Sequence, residues 1–94
     1  MIFSIQDARD ILRVDPGDND QVIFPLLEAI PAYLQETTGY RPEIGANGEE
    51  IYSPLAQLAG RFLLWLWYYG ENADVGKIER TLNLVLCVLR RGQS

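Results

Sequence analysis

The sequence predicts an all-α fold: a small four-helix domain with a short N-terminal helix, three longer helices, and a loop or small hairpin between the second and third. Three observations predict it. Apolar residues recur at three- and four-residue intervals in four separate stretches. Those stretches are bounded by residues that cap or terminate helices. The one region that breaks the helical period, residues 40 to 53, carries an Asn-Gly turn signal. With 94 residues, 48% of them hydrophobic, the chain can build one core without disulfides, so residues 1–94 are expected to form a single helical domain.

The first helix is expected to open at "SIQD", where Ser4 is the N-cap and Asp7 stands close to the capping-box spacing. Ile5, Ala8, Ile11 and Leu12 share its apolar face, and Pro16-Gly17 supplies the turn that follows. Asp18 or Asp20 can cap the second helix, expected over about 19 to 38, because a carboxylate accepts from the first free backbone amides and suits the positive end of the helix dipole. Val22, Ile23, Leu26, Leu27, Ile30, Tyr33 and Leu34 give the helical period. Pro25 and Pro31 interrupt it, each costing about 3 kcal/mol in a helix interior, so a kink or a late start at Pro25 is expected. Gly39 fits a left-handed C-cap.

Residues 40–53, "YRPEIGANGEEIYS", form an exposed hairpin or ordered loop. The segment is polar, contains Gly and holds few core residues, so it is expected to order fully only on assembly. Ser53 then caps a third helix with Pro54 at its first position. On that helix Leu55, Leu58, Ala59, Phe62, Leu66 and Tyr69 make the expected core stripe, with Leu63 and Trp65 on its flanks. Eight apolar or aromatic side chains run consecutively in "FLLWLWYY", more than one stripe can bury. Leu64 and Tyr68 project away from the expected stripe, and Trp67 lies near Gly60 on a third side. Asp74 is the expected cap of the fourth helix, which turns Ile78, Leu82, Val85, Leu86 and Leu89 inward and leaves Leu84 and Cys87 facing elsewhere. Cys87, the only cysteine, reads as a small buried hydrophobe with no internal disulfide partner.

Composition narrows the function classes. There is no histidine, which lowers the expectation of acid-base catalysis and of zinc. "DPGDND" lacks the residue order of a calcium loop and reads as a turn and cap. No Gly-rich phosphate motif occurs, nothing marks a secretion signal, and the longest apolar block is shorter than the roughly 20 residues that span a bilayer. The chain is therefore expected to be no enzyme, to need no cofactor or metal and to meet no membrane. A net charge of -5 with a single lysine argues against a general nucleic-acid binder. That charge is uneven, with ten acids against three bases in residues 1–50 and three acids against five bases in the rest. An acidic, solubilising surface accounts for this, and so does complementarity between different faces of identical subunits.

In order along the chain come "ILRVD", the acidic turn "PGDND", a helix closing on "TTG", a loop, an aromatic-rich helix ending "WYYGEN" and a last helix ending "LNLVLCVLRR". Over residues 4 to 91 this succession resembles the head-tail connector (adaptor) proteins of long-tailed bacteriophages and prophages. Pro25 and Pro31 stand where that family carries an Ala-rich helix. The resemblance implies a structural virion protein, made in the host cytoplasm, that oligomerises head-to-tail as a ring. Such a ring sits under the portal protein of the DNA-filled head, receives a tail-side connector or stopper protein, and passes DNA through its channel without specific binding. Gly60, Leu64, Trp67, Tyr68 and Leu84 are then the expected subunit or partner interface. Leu64 is expected to be exposed in the monomer and Phe62 to be core. The alternative is a small helical dimeric interaction module, regulator or antitoxin-like, without enzymatic activity.

Overall fold

The computed structural model describes residues 2–17, 19–70 and 75–92. Helix α1 spans Ile5–Leu12. Its capping box forms as the sequence predicts: Ser4 Oγ accepts from the Asp7 amide at 3.0 Å, and the Asp7 carboxylate accepts from the Ser4 amide at 3.4 Å. The helix ends on Arg13 in the left-handed conformation, φ 58°, with its amide bonded to the Arg9 carbonyl.

Helix α2 spans Asp20–Thr38, close to the expected bounds, and includes both prolines, so it does not start late at Pro25. Ile23, Leu27, Ile30 and Leu34 are fully buried along one stripe. Burial of a large aliphatic side chain contributes about 1.5–3 kcal/mol, so four of them offset two proline penalties of about 3 kcal/mol each. Val22 and Tyr33, both members of the apolar period, are exposed. Asn19 takes the N-cap position without a side-chain bond, and Asp18 lies outside the described residues. Asp20 does not cap. It is the first helical residue, and its carboxylate takes a fork of bonds from Arg9 on α1, one of them at 3.0 Å. Those bonds hold its pKa below the ordinary carboxylate value. At the other end Gly39, φ 79°, closes the helix as predicted.

Strands β1 (Glu43–Ile44) and β2 (Glu50–Ile51) pair antiparallel, with Glu43 opposite Ile51 and Ile44 opposite Glu50. The connection is the three-residue loop Ala46-Asn47-Gly48 rather than a two-residue Asn47-Gly48 turn: the Gly48 amide donates to the Gly45 carbonyl, and Gly48 alone of the three has positive φ, 80°. The segment is better anchored than its polarity suggests. Tyr40 and Tyr52 at its two ends are both buried and stack with ring centroids 6.4 Å apart. The Tyr40 hydroxyl accepts from the Ser53 amide at 2.8 Å, and the Tyr52 hydroxyl donates to Glu50 at 3.1 Å. The premise that residues 40–53 hold few core side chains therefore fails at these two positions.

Helix α3 (Pro54–Tyr69) opens with the expected Ser53 cap, whose Oγ accepts from the Ala56 amide, and with Pro54 in the first turn. Helix α4 spans Val75–Gly92, and the proposed cap Asp74 lies outside the described residues. Leu82, Val85, Leu86 and Leu89 are buried and Ile78 is half-buried, which is the predicted inward face. Cys87 is exposed rather than buried. Arg90 reaches back to α2 and donates from Nε and Nη2 to the Thr37 carbonyl at 3.2 and 2.9 Å, satisfying an otherwise orphaned C-terminal carbonyl. Helix α3 packs against all three other helices, and α2 also packs on α1 and α4. The result is a slab of 39 × 36 × 18 Å.

Candidate subunit interface

The core face of the central helix lies roughly a quarter to a third of a turn round from the stripe the sequence suggests, with Ala59 common to both and the expected flank residue Leu63 near its centre. Ala56, Ala59, Gly60, Leu63 and Leu64 are buried, spaced as one helical stripe. Leu55 and Leu58, the start of the expected stripe, are each 39% exposed, and Phe62, Leu66 and Tyr69 are half-buried. The small residues explain this choice. A Cβ at Gly60 would stand 3.2 Å from Phe3 Cε2 and 2.8 Å from Ile2 Cδ1, so the N-terminal segment rests directly on the helix backbone there. Ala56 and Ala59 extend the same low surface. Close approach of neighbours buries more area than bulky side chains on that side would allow.

Of the five expected interface residues, Gly60 and Leu64 are therefore corrected. Both are buried within the monomer, Leu64 with no exposed surface, and neither can meet a neighbour. Trp67 is half-buried, with its ring edge-on to Tyr33 of α2 at 5.5 Å. Tyr68 is also half-buried and packs edge-on to Tyr69 at 5.0 Å, while the Tyr69 hydroxyl donates to the Leu12 carbonyl. Much of the aromatic surplus in residues 62–69 is thus taken up inside the fold. Leu84 alone of the five stands clear, 70% exposed.

Sequence reasoning missed other apolar surface. Leu55 on α3 and Val88 on α4 border a cleft of about 580 Å³ whose far wall is the hairpin residue Ile51. Leu58, Phe62 and Trp65 continue along α3, the last two lining a shallower hollow with Ile11 and Ile78. On α2, Val22 and Phe24 are exposed. The signal that could have found the α3 face is the Ala56-Ala59-Gly60 spacing, which marks the close-packed side and so sets Leu55 and Leu58 outward.

Charge follows the helices. Helix α2 contains Asp20, Glu28 and Glu36 and no base, whereas α4 contains Lys77, Arg80, Arg90 and Arg91 against one acid, Glu79. Glu79 lines the cleft beside Tyr33 and Trp67 and is not on the outer face of α4. Tyr52, beside the largest described cleft, has its pKa pushed up to about 12, first by burial and then by its bond to Glu50. Its phenol is engaged with Glu50 inside the hairpin, whereas that of Tyr40 ties the hairpin to the Ser53 cap of α3. Among the described residues no group of three or more acidic or sulfur side chains could hold a metal ion, and no helix is long and apolar enough to cross a membrane. Comparison with family models, with curated proteins and with solved structures returned no match.

Proposed function

We propose that this protein is a structural virion component, a head-tail connector whose copies assemble as a ring under the portal and join the DNA-filled head to the tail. The observation that carries this reading is the distribution of exposed apolar side chains over different helices: Leu84 and Val88 on α4, Leu55 and Leu58 on α3, Val22 and Phe24 on α2. A ring subunit must present two different surfaces to its two neighbours and further surface to the proteins above and below. A two-fold dimer needs only one patch. The succession of helix-end motifs over residues 4–91 supports the same reading, as does the net charge of -5, which would repel DNA moving through a channel. The role requires no enzymatic step. Native mass measured across a range of concentrations, with and without a purified portal ring, tests the proposal. Rings or head-to-tail oligomers are the expected result. A species that stops at the dimer under both conditions would replace this reading with the dimeric interaction module.

A further inference from the structure

Resting on the ring reading, we infer that the contact between neighbouring copies joins the outer face of α4 on one subunit to the outer face of α2 on the next. The two faces are complementary in both shape and charge. On α4 the exposed residues that point most directly away from the core include Lys77, Arg80, Leu84, Cys87 and Arg91, with Val88 at the edge; Leu84 is 70% exposed, and no acid shares that face. On α2 the outward residues are Pro25, Glu28, Ala29, Ala32 and Glu36, also exposed, and the whole helix lacks a base. A protruding leucine flanked by cations therefore has a counterpart in a low apolar strip flanked by carboxylates.

The spacing matches as well. Glu28 and Glu36 each lie four residues from Ala32, and Arg80 lies four residues from Leu84. At about 1.5 Å rise per residue both separations are roughly 6 Å along the helix axis. With Leu84 seated on Ala32, Arg80 comes level with Glu28 when the helices run parallel and with Glu36 when they run antiparallel. Neither face could satisfy itself across a two-fold axis, since α4 against α4 sets cations together and α2 against α2 sets carboxylates together. With one face used per contact, α4 of each copy on α2 of the next, the pairing is heterologous and propagates into rings, whereas both pairings made at once across a two-fold axis would stop at a dimer. The partner is a second copy of this chain.

A mixing experiment tests this. Leu84→Asp spoils only the α4 face and Ala32→Asp only the α2 face, and circular dichroism checks that each variant keeps its helices. Each variant alone should associate at least tenfold more weakly than the wild-type chain. Mixed at equal amounts, they should form a complex of one copy of each and nothing larger, because one intact face remains on each partner. As a second arm, Lys77→Glu with Arg80→Glu should weaken association to a similar degree, and adding Glu28→Lys with Glu36→Lys in the same chain should restore it. If both single-face variants assemble like wild type, or fail to complement each other, the α2–α4 contact is wrong while the ring reading stands on another surface. Loss confined to one of the two variants likewise overturns it. A wild-type chain that stays monomeric at every concentration, with and without a portal ring, removes the ring reading and this contact together.

Discussion

Replacing Leu64 by alanine removes three carbons from a side chain that has no exposed surface and sits between α3 and its neighbours. The loss combines the transfer free energy of those atoms with the cost of the cavity left behind, about 2–5 kcal/mol for a fully buried leucine. A domain of this size has a total stability of about 5–15 kcal/mol. The substitution therefore consumes a large share of it, and at roughly 4–8 °C per kcal/mol a loss of about 3 kcal/mol lowers the melting temperature by about 12–24 °C. Leu84→Ala is the control, since a side chain 70% exposed should change stability by no more than about 0.5 kcal/mol in the monomer. Thermal melts followed by far-ultraviolet circular dichroism, with urea titrations at a concentration where copies do not associate, give both values. Introducing a carboxylate sharpens the contrast: Leu64→Glu should abolish folding, whereas Phe62→Glu, at a half-buried site, should leave a folded protein of lower stability. If Leu64→Ala and Leu84→Ala shift the melting temperature equally, α3 does not present Ala56, Gly60 and Leu64 to the core, and the account of its orientation is wrong.

Gly60→Val should destabilise the domain by about 1–3 kcal/mol in the same urea titrations, despite valine's better helix propensity than glycine, because the new carbons meet the buried Phe3 ring; an increase in stability would show that the N-terminal segment does not rest on α3. In an alkaline absorbance titration Tyr52 should ionise at about pH 12, because burial and the bond to Glu50 hold its proton. Its folded pKa lies above the ordinary value of 10.0, so the stability it contributes is complete below pH 10 and falls as pH rises toward 12. Tyr52→Phe should flatten that alkaline loss, and an unchanged profile would refute the assignment.

Features that depend on a few neighbouring residues were legible in the sequence. The Ser4–Asp7 box, the Ser53-Pro54 start and the Gly39 stop are each set by local backbone geometry and short-range hydrogen bonds, and the structure places them as expected; a hairpin turn also forms at Asn47-Gly48, one residue longer than that pair alone indicates. The inward face of α4 was also legible, because Leu82, Val85, Leu86 and Leu89 share one side and that helix carries its charges elsewhere. Helix α3 gave no such guide. Both of its faces are apolar, so hydrophobic periodicity alone left two phases open, and large side chains suggested the wrong one. Only packing decided between them: three other helices pack on α3, and at Gly60 the N-terminal residues Ile2 and Phe3 rest where a side chain would stand. The same tertiary burial offsets the penalties of Pro25 and Pro31 within α2, whose bounds the apolar period had already indicated. It likewise placed Leu64 in the core and left Leu55, Leu58 and Leu84 exposed, since which of two greasy faces meets water depends on neighbours that are distant in sequence.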